Sequence, residues 1–332
     1  MFEYDVLIAT YNRGELLKNC LESFPTDPPE GLKKVIFITL ANDQDTELAI
    51  KETMKPYDTE IIKVNEILKP GASRNIMIEK SSADYLAFLD DDILIPEDYF
   101  QKCLKIVKEN QFDIFGGPDN SPQNDSLRQK IIGDILAHPF AMGPTSARHA
   151  CRGNNPVVAD ETKLTLCNMW MKREILMDSH LRFSENLRRC EENQLLEELS
   201  SLGYIMHYVP DMFIYHHRRE SLLAMARIQY LSGYYRSVCF YLNHSTFKFF
   251  FLAPILTGLL LTIFIFLPNS LKILLIGIHT TLAWTVCYNI FKKYNSLFAF
   301  FWGWITMVTI HIFFSLGMFM GILMGWKNAK LD

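Results

Sequence analysis

The chain has 332 residues, of which 33 are basic, 37 acidic and 49% hydrophobic, enough for two domains or one large domain with an appendage. Residues 247–332 hold six lysines and a single acid, which leaves 27 basic against 36 acidic residues ahead of them. So acidic a front part argues against nucleic acid as a partner, because binding a phosphate backbone needs a basic face.

In chain order, residues 5–9 read as a short apolar strand and 14–23 as a helix with Leu16, Leu17, Cys20 and Leu21 on one face. Strands follow at 34–40, 60–64, 85–89 and 113–115, alternating with helices at 45–54, 72–80 and 96–109. Such alternation implies an α/β domain with a mostly parallel, helix-covered sheet. Residues 118–155 are rich in Pro, Gly, Asn and Ser. They are predicted to be loop apart from a helix over 127–137, and loops of that kind often close over substrates.

Over 220–242, Leu222, Leu223, Met225, Ala226, Ile228, Leu231 and Tyr235 recur at helical spacing, with Arg218, Arg219, Arg227 and Arg236 around them. This pattern suits an amphipathic helix on anionic lipid, a helix packed on a core, or both. Long apolar runs at 247–267, 271–290 and 297–326 each meet the roughly 20 residues that a spanning helix needs. Trp302, Trp304 and Trp326 lie near run ends, where aromatic belts form. The third run is long enough to be tilted, or broken near Gly317 and Gly321. Lys292 and Lys293 favour a cytosolic second loop, against the pull of Lys272, Lys327 and Lys330. The expected organisation is a catalytic domain over 1–215, an interfacial segment over 216–246 and a transmembrane anchor over 247–332. The domain would be cytoplasmic on a multi-pass protein of the cell (inner) membrane, with no secretory signal ahead of the first strand. Seven scattered cysteines form no C-x-x-C pair or zinc spacing, which suggests reduced thiols.

The chemistry concentrates at strand ends. Asp90, Asp91 and Asp92 follow the run YLAFL. Side chains alternate along an extended segment, so Asp90 and Asp92 share a direction and Asp91 opposes them. Paired carboxylates repel unless a cation joins them, and hard oxygen donors suit magnesium, manganese or calcium. In open α/β sheets, ligands bind outside the carboxyl ends of strands. A solvated acidic turn leading into a helix is the plainer alternative. Thr10-Tyr11-Asn12-Arg13 ends the first strand and Ala41-Asn42-Asp43-Gln44-Asp45-Thr46 the second. Lys69-Pro70-Gly71-Ala72-Ser73-Arg74-Asn75 opens a helix whose N–H groups and Arg74 suit a phosphate or ribose.

In this order the motifs resemble glycosyltransferase family 2, whose members have the nucleotide-sugar-binding GT-A fold. The matching stretches are TYNR (10–13), NDQDT (42–46), GASRN (71–75), FLDDD (88–92), LCNMWMKREIL (166–176), FSENLRRCEENQLLEEL (183–199) and YHHRRESL (215–222). The tail, with His311 and SLGMFMGIL (315–323), is similar to that of exopolysaccharide-type members. The resemblance implies that Thr10, Asn12 and Asp43 contact the donor nucleoside and that Arg74 helps bind the nucleotide. It places Asp90 and Asp91 beside the donor, with Asp90 on the ribose or the metal. It makes Asp92 the main ligand of magnesium or manganese, completed by His216, in what family members present as a DXD motif. The general base would be Glu192, with Glu191 as rival; the family usually has Glu-Asp there. Asn168 and Trp170 would line the acceptor side, and Arg218 and Arg219 would hold a diphosphate.

The implied function is metal-dependent inverting transfer of a sugar from a nucleotide-sugar donor to a lipid-linked (polyprenyl-diphosphate) saccharide at the membrane, in surface or exopolysaccharide synthesis. Membrane lipid would be a partner and nucleic acid would not. A processive synthase is disfavoured, because Gln229 is followed by Tyr230-Leu231-Ser232 in place of Gln-x-x-Arg-Trp. A polyprenyl-phosphate sugar transferase and a non-catalytic nucleotide-sugar binder are the alternatives. The first would not need Glu192, and the second would not need an acidic pair.

Overall fold

The structure, a computed structural model, describes residues 2–329 and resolves them into two compact units. Lys330 and Asp332, which entered the charge count, lie outside the described residues. The first unit comprises residues 2–120 and 147–217, and the second 121–146 and 218–329.

The first unit begins with β1 (Tyr4–Ala9), α1 (Gly14–Glu22), β2 (Leu32–Leu40), α2 (Gln44–Thr53), β3 (Thr59–Val64), α3 (Pro70–Lys80) and β4 (Tyr85–Leu89). It continues with β5 (Ile93–Leu94), α4 (Tyr99–Asn110), β6 (Ile114–Gly116) and β7 (Asp119–Asn120). Two helices of the second unit, α5 (Leu127–Leu136) and α6 (Pro139–Met142), interrupt it here. It resumes with β8 (Val157–Ala159), β9 (Asn168–Lys172), α7 (Arg173–Ser179), α8 (Glu191–Ser201), β10 (Met206–Tyr208) and β11 (Ile214–His216).

Eight strands form one sheet in the order β3-β2-β1-β4-β9-β6-β10-β8. The strands β1 to β4 run parallel, while β9 runs antiparallel between β4 and β6. Alternation sorts the side chains. Tyr4, Val6 and Ile8 of β1, with Val35 and Phe37 of β2, enter one apolar core; Leu7, Ile36 and Ile38 enter the core on the opposite face. Both faces are therefore covered, and continuous apolar runs such as KVIFITL are what a doubly covered sheet requires. Because β1 to β4 are parallel, residues 10–13, 41–46 and 90–92 emerge at one edge.

A small second sheet, ordered β5-β11-β7, sets His216 opposite Ile93 in antiparallel register. It brings the end of the unit back to the aspartates. The two-residue strands β5 and β7 carry no periodicity and are not marked in the sequence, whereas β11 falls in the strand-like run 212–215 ahead of His216.

The second unit adds α9 (Leu222–Leu242), α10 (Leu252–Ile263), α11 (Asn269–Tyr294), α12 (Leu297–Met324) and α13 (Trp326–Ala329). Three helical segments, Phe249–Phe266, Asn269–Tyr294 and Leu297–Met324, are long and apolar enough to cross a membrane. Three findings revise the sequence reading. First, residues 121–146 belong to the stretch expected to be loop apart from a helix over 127–137; that helix is present as α5, but it packs with the apolar helices, Ile131, Ile132 and Ile135 sharing a core with Val286, Ala299 and Met307. A capping box between Ser126 and Gln129 starts α5. Second, α12 is unbroken at Gly317 and Gly321. A Cβ at Gly317 would stand 2.1 Å from the Tyr230 carbonyl oxygen, and one at Gly321 2.5 Å from that of Tyr234. The glycines are a seam against α9, as small residues are between membrane helices. Third, α9 buries only part of its apolar stripe along with this seam: Met225 and Ala226 are buried and Leu223 is 81% exposed, while Arg236 is buried with its guanidinium 5.0 Å from the Phe251 ring centre. All seven cysteines are free thiols.

Candidate active site

At the carboxyl edge of the parallel strands, Arg13, Arg74 and His216 gather around Asp90–Asp92. As strand alternation requires, Asp91 points inward and is 2% exposed, while the side chains of Asp90 and Asp92 keep 40% and 22% of their surface. Arg13, just after β1, straddles the turn. Its Nη1 donates to Asp91 Oδ1 and its Nη2 to Asp92 Oδ2, both at 2.5 Å. Burial pushes Asp91 up to about 6 against the pull of Arg13. Burial would raise Asp92 too, but His216 and Arg13 together hold it well below the usual carboxylate range. His216 Nε2 lies 3.1 Å from Asp92 Oδ1.

Arg74 comes from the first turns of α3. Its Nη1 donates to Glu191 Oε1 at 2.6 Å and its Nη2 lies 3.7 Å from Asp90 Oδ1. Gly71 permits this: a Cβ there would be 2.1 Å from the Ser184 carbonyl oxygen, so only glycine lets the helix start approach the segment leading into α8. Glu191 and Glu192 open α8, where acids suit a helix N-terminus. Glu191 is 4% exposed, and burial followed by the Glu192 charge raises its pKa despite Arg74. Its Oε2 has no hydrogen-bond partner among the described residues. Glu192 keeps more surface and lies 3.7 Å from Arg148 Nη1. Arg148 is itself held by the carbonyls of Glu161 and Thr162.

A cavity of about 580 Å³ borders this cluster, lined by Tyr11, Arg13, Lys69, Ser73, Arg74, Asp90 and Arg188 among others. A larger groove of about 860 Å³, beside Phe24, Glu97 and Phe100, holds none of the strand-end polar groups.

The remaining expected residues divide. Asn12 is exposed, with left-handed backbone at φ 54° and its N–H on Asp43 Oδ2 at 2.6 Å. Asp43 caps α2 through Thr46 N and also accepts from Thr39 Oγ1. Burial works to raise it, yet these hydrogen bonds hold its pKa below the ordinary value. Thr10 is 1% exposed. Asn168 and Trp170 are corrections, for neither has any exposed surface. Strand β9 lies inside the sheet, so Trp170 stacks in the core 4.6 Å from the Tyr4 ring centre and donates to Tyr99 Oη. The Asn168 amide is used by the Tyr99 hydroxyl and the carbonyls of Met212 and Pro118. Arg218 and Arg219 fall in the second unit. Arg218 is buried with Nε on Ser121 Oγ, and Arg219 is exposed. Arg13, Lys69, Arg148 and Arg188 were not assigned from sequence. Arg13, Lys69 and Arg188 each lie inside a quoted motif, whereas Arg148 carried no signal.

Asp92, His216 and Asp90 supply carboxylate and imidazole donors that suit manganese or magnesium. Among the described residues no three His, Cys, Asp or Glu side chains enclose an ion unaided. The donor set fits a cation that takes its remaining positions from ligand phosphates and water, as magnesium commonly does.

The family pattern described as "Glycosyl transferase family 2" matches residues 5–174, just over half the chain. The chain belongs to glycosyl transferase family 2. Among its relatives, the succinoglycan biosynthesis protein ExoM of Rhizobium meliloti is 22% identical over 242 residues, covering 69% of this chain and 72% of that one. A poly(ribitol-phosphate) beta-glucosyltransferase of Bacillus spizizenii is 26% identical over 158 residues, covering 42% of this chain. The chain spans 24% of the Bacillus protein's length and 38% of the length of glycosyltransferase AglE from Haloferax volcanii. The structure of S. aureus TarS 1-349 in complex with UDP-GlcNAc overlays with a TM-score of 0.51 at 14% identity, covering 70% of this chain and 66% of that one. At that identity the overlay shows a shared fold of the GT-A type for this family 2 chain.

Proposed function

We propose that this family 2 protein is a membrane-anchored glycosyltransferase of cell-surface polysaccharide synthesis. It moves a sugar from a nucleotide-sugar donor to a lipid-linked saccharide, with inversion and with a divalent cation. The observation that carries this reading is the cluster of Asp90, Asp92, His216, Arg13 and Arg74 at the carboxyl edge of the sheet, with Glu191 joined to it through Arg74 and Glu192 next to Glu191 at the start of α8. The relatives named for polysaccharide chemistry support it, as does the UDP-GlcNAc complex of the structural neighbour. The three apolar helices favour a lipid-linked acceptor and a multi-pass protein of the cell membrane. Lys292 and Lys293 favour a cytoplasmic catalytic unit.

In this reading Asn12 and Asp43 take the nucleoside, and Arg74 the diphosphate. Asp92, with His216 and Asp90 as further donors, would hold a divalent cation, which would supply charge stabilisation for the departing nucleoside diphosphate. Arg13 fixes Asp91 and Asp92, and Glu191 fixes Arg74. Of the two glutamates, Glu192 keeps more open surface and is not engaged by Arg74. It accepts the proton of the acceptor hydroxyl as that oxygen bonds to the anomeric carbon and the bond to the diphosphate breaks.

The test is sugar transfer and donor hydrolysis in detergent, screening nucleotide-sugars with manganese or magnesium. Asp92→Ala should lose metal-dependent turnover. Glu192→Gln should lose about 10²–10⁴-fold of rate while keeping donor binding, the usual worth of a general base. Full turnover in Glu192→Gln with a dead Asp92→Ala would point to a phosphate acceptor that needs no base. No donor binding under any metal would end the enzyme reading.

A further inference from the structure

We propose that residues 135–146 form a membrane-inserted loop whose outer partner is the acyl region of a lipid bilayer. The proposal rests on reading α10–α12 as membrane spans, and it concerns a segment that is not part of any of them.

The depth comes from one hydrogen bond. His311 Nε2 lies 2.8 Å from the Ala141 carbonyl oxygen. A carbonyl only accepts, so Nε2 carries the proton, and in the neutral ring Nδ1 is then the acceptor for His279 Nε2 at 3.1 Å. His311 is the fifteenth of the 28 residues of α12. At about 1.5 Å per residue it stands roughly 21 Å along a helix of roughly 42 Å. His279 is the eleventh of the 26 residues of α11, so the pair meets near the middle of both helices. A hydrocarbon core is about 30 Å thick. Ala141 is therefore held near the middle of the span, not at its rim.

The loop's composition suits that depth. Residues 135–146 contain no Asp, Glu, Lys or Arg. The charge just before them, Asp134, is taken by Lys293 Nζ at 2.7 Å and by the Tyr294 hydroxyl, at the end of α11. Backbone donors that lipid would leave unsatisfied are used internally. The N–H groups of Ala141 and Met142 reach the His138 carbonyl, and that of Phe140 reaches His138 Nδ1. Pro139 and Pro144 have no N–H to satisfy. Such satisfaction is what permits irregular backbone at membrane depth. Phe140 is 64% exposed at the tip of α6, and Ile135 and Leu136 hold the loop to Ile310 and its neighbours. The continuity of this surface with the apolar helices selects lipid as its occupant.

The test is photo-crosslinking of the full-length protein in phospholipid vesicles, with p-benzoylphenylalanine placed singly at three exposed positions. Position 140 probes the loop, position 305 on α12 reports the span, and position 202 on the first unit is the aqueous control. These three sites are 64%, 42% and 60% exposed, so the probe displaces no core packing; monodisperse elution before reconstitution confirms each fold. The expected result is a lipid adduct, read by peptide mass, at 140 and 305 and none at 202. Adducts at 305 but not at 140 overturn the insertion and leave the spans in place. No adduct at 305 overturns the spans and the insertion with them.

Discussion

Arg13 shows what holds two of three adjacent carboxylates, Asp91 and Asp92, in place. Without it Asp91 would be a buried charge facing only like charges. Arg13→Ala should lower stability by about 2–3 kcal/mol, the low end for breaking a buried pair because Arg13 is a third exposed; chemical denaturation in detergent measures it. Asp5 gives a pH signature away from the site. Burial raises its pKa against a 2.6 Å hydrogen bond from Ser81. The folded state then holds the proton to higher pH than the unfolded chain, whose aspartates titrate near 3.9. Asp5's contribution is full below that value and is lost as pH rises through the raised one. Asp5→Asn should flatten this fall, read from unfolding midpoints at pH 4 to 7. The directions of Asp90, Asp91 and Asp92 were legible because a strand alternates. Arg13's grip on them was not, because the partners lie 78 and 79 positions apart. Trp170 misled for a related reason: its sequence neighbours do not show that β9 threads antiparallel into the sheet's interior.

At the scale of elements, the alternation of the first 115 residues was legible because doubly covered parallel strands are continuous apolar runs between turn signals. The two-residue strands β5 and β7 were not, although they pair with β11, whose strand-like run was visible, and so set His216 beside Asp92. On α12, the spacing of Gly317 and Gly321 was visible as a pattern but had no partner, so it read as a weak point. Its partner is α9, whose contact face holds Gly233 and Ser237. Gly321→Leu should destabilise the second unit by at least the 1–3 kcal/mol typical of overpacking, seen as a lower aggregation temperature in detergent. Leu223→Ala, on the exposed side of α9, should leave it unchanged.

At the scale of the whole molecule, the catalytic unit is discontinuous in sequence. The chain leaves it at Asn120 and returns at Ala147, and a 2.6 Å hydrogen bond from His149 to Asp119 closes the neck. A truncation at residue 217 would keep α5 and α6 without the helices that cover Ile131, Ile132 and Ile135. That fragment should aggregate, whereas the same fragment with 121–146 replaced by a short Gly/Ser linker should stay monodisperse on gel filtration. Composition could not announce this division, because residues 118–155 are polar enough on average to pass for a surface loop, and only the packing of α5 reveals their side.

The central claim is that the strand-edge carboxylates hold a nucleoside diphosphate through a divalent cation. Calorimetric titration of full-length protein in detergent with UDP and GDP, with manganese or with EDTA, tests it most directly, repeated on Asp92→Ala. The account predicts binding that requires manganese and is lost in Asp92→Ala. Binding that is equally tight in EDTA, or unchanged in Asp92→Ala, would contradict it.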